Sequence, residues 1–166
     1  DSGCELVFMT VIEEFEGDDC NLKINQSLSN DFSVSCYGDC DAEVNGLVIT
    51  GGTQPFDTDI YYDSTIIATT SEDTISLSEL CPGKYRVSTR DANNCAYSLF
   101  FTITEPEELD VELFADSSIL ITGGVAPYDT IISENMDSMI VTVTDSNDCI
   151  TQDFITTTSS DEESFS

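Results

Sequence analysis

The phrase Gly51-Gly52-Thr53-Gln54-Pro55-Phe56-Asp57-Thr58 returns later in the chain as Gly123-Gly124-Val125-Ala126-Pro127-Tyr128-Asp129-Thr130. Each copy is followed by a second shared phrase, Ser88-Thr89-Arg90-Asp91-Ala92-Asn93-Asn94-Cys95 and then Val143-Thr144-Asp145-Ser146-Asn147-Asp148-Cys149. Two landmarks recurring in the same order mean one small unit used twice, so the chain is to be read as a tandem array. Its 166 residues are enough for one ordinary domain or two small ones.

Most segments alternate apolar and polar residues with period two and are rich in Val, Ile, Thr, Phe and Tyr, while helix signals are nearly absent. Strands are expected at 5–15, 22–24, 32–36, 43–50, 57–62, 65–69, 74–77, 84–89, 96–104, 110–114, 118–122, 128–132, 139–144 and 150–156. Turn chemistry separates them: Gly51-Gly52, Cys81-Pro82-Gly83, Asp91-Ala92-Asn93-Asn94, Gly123-Gly124 and Asp145-Ser146-Asn147-Asp148. Short strands with turns at this spacing predict an all-β fold, as immunoglobulin-like β-sandwiches.

Five motifs then occur in a fixed order. They are Ser35-Cys36-Tyr37-Gly38, the stretch from Gly51 to Phe56, Leu80-Cys81-Pro82-Gly83-Lys84-Tyr85, the stretch from Asp91 to Cys95, and Thr102-Ile103-Thr104-Glu105-Pro106. In this order they resemble the SprB-type repeat of large surface adhesins and extracellular proteins of Bacteroidota, well over 34–106 and partly over 107–158. The resemblance implies an Ig-like fold and extracellular life, and a structural role more than a chemical one.

The second copy departs from that pattern. It lacks a match to Ser35-Cys36-Tyr37-Gly38, and it is shorter between its landmarks by roughly the stretch from Tyr61 to Cys81, which should hold one or two strands. A sandwich that loses a strand exposes core and unpaired backbone groups. The N-terminus carries a surplus instead: Leu6, Val7, Phe8, Met9, Val11 and Ile12 make the most apolar stretch of the chain and lie outside either repeat. The expected organisation is an N-terminal donor strand at 1–15, an Ig-like repeat at 16–106, a truncated Ig-like repeat at 107–158 and an acidic polar tail at 159–166. A deficit at one end and a spare strand at the other predict head-to-tail donor-strand assembly into a homopolymer. Burying about five apolar side chains of such a strand contributes roughly 8–15 kcal/mol gross, against association costs of comparable size.

Seven cysteines in a chain this size point to disulfides and an oxidising compartment, hence to the cell surface or the extracellular space. Thiolate zinc is the competing reading for Cys36, Cys40, Cys81 and Cys95, but the chain has no CxxC pair and no histidine. The expected pairing is Cys36–Cys95 and Cys40–Cys81. It leaves Cys4, Cys20 and Cys149 to share one intrachain and one interchain role; spacing alone does not derive it. With 33 acidic residues against 4 basic ones, the net charge of −29 argues against nucleic acid and anionic lipid surfaces as partners. No apolar run is long enough to span a bilayer. The start at Asp1, without a leader, is read as the mark of a removed or omitted signal peptide.

An enzymatic role is not expected, because there is no histidine to act as base and no Gly-x-Ser-x-Gly or phosphate-cradling loop. Asp63-Ser64-Thr65, Asp73-Thr74-Ile75, Asp129-Thr130-Ile131 and Asp137-Ser138-Met139 look like O-glycosylation acceptors of Bacteroidota, with the hydroxyls of Ser64, Thr74, Thr130 and Ser138 as attachment atoms. Asn25-Gln26-Ser27 fits the N-glycan sequon. No cofactor is expected. Calcium is the ion that Asp39, Asp41, Asp57, Asp59 and Asp18-Asp19 would suit, although none matches an EF-hand loop. Tyr37, Tyr61 and Tyr62 are candidates for a sugar-stacking platform. Two functions follow: an extracellular filament or surface-appendage subunit assembled by donor-strand complementation, or a monomeric fragment of a larger adhesin binding glycans through loops.

Overall fold

In a computed structural model of the chain, the structure describes residues 20–26 and 32–156. The protein is all-β, with no helix among the described residues. Its described residues divide into two compact units, one holding 20–26, Phe32 and 42–104 and the other Ser33–Asp41 and 105–156. The expected boundary near residue 106 is therefore close to the one at Thr104, but segment 33–41 belongs with the second unit.

Unit 1 contains β1 (Lys23–Gln26), β2 (Phe32–Ser33), β3 (Ala42–Thr50), β4 (Asp57–Tyr62), β5 (Thr65–Thr70), β6 (Thr74–Leu80), β7 (Gly83–Arg90) and β8 (Ala96–Thr104). They form one sheet in the order β1-β3-β6 and a second in the order β2-β8-β7-β4-β5. The alternating apolar residues supply the core: Ile24, Leu47, Ile49, Ile60, Ile75, Val87, Leu99 and Ile103 are all buried. Tyr85 stacks on Phe101 with ring centroids 5.3 Å apart, and Phe32 of β2 meets Phe101 edge-on at 5.9 Å.

Unit 2 contains β9 (Asp110–Leu113), β10 (Ile119–Thr122), β11 (Asp129–Glu134), β12 (Ser138–Thr144) and β13 (Ile150–Thr156). These pair as β10-β9 and as β11-β12-β13. Register shows the repetition residue by residue. Thr58 faces Thr89 and Ile60 faces Val87 in unit 1; Thr130 faces Val143 and Ile132 faces Val141 in unit 2. In the same way, β1 and β3 correspond to β9 and β10, and β8 corresponds to β13. Among the described residues, unit 2 has no counterpart of β2, β5 or β6.

The repeated Gly-Gly landmark has a steric cause. Gly51 and Gly123 adopt φ of 68° and 65°, a left-handed conformation that disfavours a side chain. A Cβ there would also overlap a backbone carbonyl of the preceding segment, that of Asn21 in unit 1 and that of Glu108 in unit 2. Only glycine lets the turn lie this close to the strand entry, so both copies keep it.

Candidate assembly surface

Each unit is closed by one carboxylate. Asp91 accepts hydrogen bonds from the backbone N–H groups of Thr53 (2.9 Å), Asn93 (2.9 Å) and Cys95 (2.8 Å). Asp145 accepts the matching set from Val125 (2.8 Å), Asn147 (2.8 Å) and Cys149 (3.0 Å). The side chain thus ties the Gly-Gly turn to the turn before the last strand, which is why the two landmarks travel together. Desolvation alone would raise these carboxyl pKa values; the N–H donors more than offset it and hold both below the ordinary range.

A depressed folded-state pKa means stabilisation that is present above the unfolded value, about 3.9, and lost as pH falls through the folded value. Asp91→Asn and Asp145→Asn should therefore lower Tm at neutral pH. They should also flatten the decline of Tm below about pH 4 relative to the unaltered chain. Scanning calorimetry across an acid series checks both.

The cysteines correct the expected Cys36–Cys95 pairing and the roles left to Cys20 and Cys149. Cys20 bonds Cys95, at a sequence separation of 75, and Cys36 bonds Cys149, at a separation of 113. Cys36 therefore does not pair with Cys95, and neither Cys20 nor Cys149 is left for an interchain bond. Cys40 and Cys81 are also disulfide-bonded, so all six described cysteines are oxidised, as in an oxidising compartment. Cys4 lies outside the described residues.

The physical reason is visible in the repeat. Cys20 stands just before Asn21-Leu22, the residues against which Gly51 and Gly52 pack. In unit 2 that place is taken by Glu107, before Glu108-Leu109. Cys149 has no cysteine there and is met by Cys36 from segment 33–41. That segment is held to unit 2 further by Asn147 Nδ2 donating to the Ser35 carbonyl at 2.9 Å and by the Gly38 N–H donating to Glu105 at 3.0 Å. The strand expected at 32–36 accordingly stops at Ser33.

Unit 2 exposes what unit 1 covers. Ile60 is 1% exposed, whereas Ile132, at the same place on the matching strand, is 50% exposed. In unit 1, β6 lies beside β3 and puts Ile75 and Leu80 into the core. In unit 2, no described strand occupies the corresponding edge of β10. The far edge of β11 is open likewise, and all six of its residues are exposed. The core cluster between β9 and β12 is Val111, Leu113, Val141 and Val143, with Ile119, Ile121 and Met139 only partly covered; Val34 of segment 33–41 is buried as well. The candidate donor residues Leu6, Val7, Phe8, Met9, Val11 and Ile12 lie outside the described residues.

The remaining candidates scatter. Ser64 sits exposed in the β4–β5 turn, Thr74 exposed at the start of β6, Thr130 exposed on β11, and Ser138 half-buried at the start of β12. Asp41 accepts from both the backbone N–H and the hydroxyl of Ser35, which lower its pKa, the hydroxyl most. Asp57 and Asp59 lie on β4, and Asp18 and Asp19 are outside the described residues. Among the described residues, no three acidic or cysteine side chains gather as a metal site. Tyr61 and Tyr62 are neighbours on β4 and so point to opposite faces, which separates them as a platform. Tyr62 packs on Tyr85 at 5.0 Å, while Tyr61 lies under Arg86; Tyr37 is exposed in segment 33–41. Among the described residues, no helix is long and apolar enough to cross a membrane. No family model, curated protein or solved structure matches this chain.

Proposed function

We propose that this chain is a structural subunit of an extracellular filament or surface appendage, with SprB-type Ig-like repeats as its units. It assembles head to tail: the apolar segment 5–15 of one copy enters the open edge of unit 2 in the next. The observation that carries this reading is the contrast between Ile60 and Ile132, equivalent residues of one repeat, buried in the unit that has β6 and exposed in the unit without it. An incoming strand beside β10 would take the place of β6, pair backbone groups left at the edge and cover Ile132, Ile119 and Ile121.

The second open edge, at β11, carries Thr130, one of the O-glycan acceptor candidates. A glycan there would leave the β10 edge as the one free for pairing. The disulfides fit an oxidising, extracellular setting, and with these six cysteines already bonded the strand pairing between copies is non-covalent.

The test is the size of the purified chain. Light scattering and negative-stain microscopy are expected to show a ladder of linear polymers lengthening with concentration. A monodisperse monomer at high concentration would reject the filament and favour the adhesin-fragment reading.

A further inference from the structure

The chain has only four Lys and Arg residues, and three of them, Lys84, Arg86 and Arg90, lie on β7. They share its outer face, because the intervening Tyr85, Val87 and Thr89 are buried inward. Arg86 is held in place: its guanidinium lies over the Tyr61 ring, 3.8 Å from the centroid. That leaves its N–H edges free to receive a carboxylate in the bidentate manner that suits Arg. The same cross-strand row continues to Phe100 on β8 and, through Tyr61, to Ile66 on β5, both about half exposed.

The internal repeat shows that the fold does not require these cations. The matching strand β12 puts Ser138, Ile140 and Thr144 where β7 has Lys84, Arg86 and Arg90, and it forms the same three-strand pairing. Nor does the acid opposite Arg90 account for it: Asp57 faces Arg90, but its counterpart Asp129 faces Thr144. Asp59 stands beside this row, opposite Ser88, so the strip is a narrow cationic line within an acidic surface.

A free polyanion is repelled by a particle of charge −29. A tethered acidic segment escapes that penalty, because tethering fixes a high effective concentration. The chain contains two such segments, Glu13-Glu14-Phe15-Glu16-Gly17-Asp18-Asp19 and Asp161-Glu162-Glu163-Ser164-Phe165; in the filament reading the first is held at both ends, between the donor strand and Cys20, so the second is the one left to reach a neighbour. We propose that the outer face of β7 docks segment 161–165 of the neighbouring copy, with the acids on Lys84, Arg86 and Arg90 and Phe165 against Phe100.

Delivery of that segment rests on the filament reading. When segment 5–15 of one copy fills unit 2 of the next, unit 1 of the first begins only a few residues beyond the junction. Five residues span at most about 17 Å. Segment 161–165 of the accepting copy leaves from that same unit 2 just after β13. Connectivity therefore tethers the acidic segment of one copy in the neighbourhood of unit 1 of the other, the unit that carries β7.

The experiment is fluorescence anisotropy of a labelled synthetic peptide covering residues 157–166 against the full chain, at low and at high salt. Saturable binding that weakens with salt is expected. The triple variant Lys84→Glu, Arg86→Glu, Arg90→Glu should bind about tenfold or more weakly. A peptide with Lys at positions 161, 162 and 163 should bind that variant and not the unaltered chain, a rescue that misfolding cannot produce. Equal binding by both forms of the chain overturns the proposal. So does polygalacturonate binding at the strip with no competition from the peptide, which would assign the face to acidic polysaccharide. Polymers without peptide binding reject the docking alone. Peptide binding with charge rescue by a chain that stays monomeric upholds the docking and rejects the filament.

Discussion

Deleting residues 1–15 is expected to convert polymer into monomer while leaving both units folded, and adding back a peptide of residues 5–15 should stabilise unit 2 in particular. Ile132 is only half covered in the isolated chain, so Ile132→Asp should change monomer stability little but abolish assembly. The matching change, Ile60→Asp, strikes a fully packed site and should unfold unit 1, since it buries an unpaired charge. Peptide at about a hundredfold over its Kd would raise the stability of unit 2 by about 2.7 kcal/mol. Its faces must be unequal: one of the two alternating sets, Leu6, Phe8 and Ile12 or Val7, Met9 and Val11, turns inward. Aspartate at a single position of the inward set should prevent binding, and aspartate in the other set should not. If neither set matters in calorimetry or sizing, no strand enters the slot.

The all-β fold and most strand positions could be read from alternation alone. The expected strands at 57–62, 96–104 and 150–156 coincide with β4, β8 and β13. These are segments where every second residue meets a core and the ends are marked by turn residues. Alternation failed where the backbone breaks step. The strand expected at 74–77 continues as β6 to Leu80, because pairing with β3 is irregular and Glu79 takes a φ of 56°, which returns Leu80 to the core. The shortened middle of the second copy goes with the absence, among the described residues, of counterparts of β5 and β6.

The disulfides were legible only in part. Motif order placed Cys36 at the head of the first repeat, whereas contact places it with the second unit. The signal that would have found the pairing is the alignment of Cys20-Asn21-Leu22 with Glu107-Glu108-Leu109, the two strand entries beneath the Gly-Gly turns. It assigns Cys20 to Cys95 and leaves Cys149 without a local cysteine. The cationic line on β7 went unread because net charge hides how few cations there are and where alternation puts them.

The Cys20–Cys95 and Cys36–Cys149 disulfides should differ in what their loss does. Opening a loop of this length costs about 4–5 kcal/mol of loop-closure entropy in the simplest account, and removal from small domains typically costs about 2–5 kcal/mol. Unit 1 spreads such a loss over two sheets and a core drawn from six of its strands. Unit 2 has five buried apolar side chains, Val34, Val111, Leu113, Val141 and Val143, and two edges without a described neighbour to set against the same loss, and small cores depend most on covalent staples. Cys36→Ser or Cys149→Ser should therefore unfold unit 2 at a temperature where unit 1 is intact, giving two calorimetric transitions. Cys20→Ser should shift unit 1 less. Filling the open edge replaces part of the missing core, so the 5–15 peptide should recover much of the loss in the Cys149→Ser chain and none in the Cys20→Ser chain. Recovery of both alike would mean that the peptide acts elsewhere than at the edge of β10.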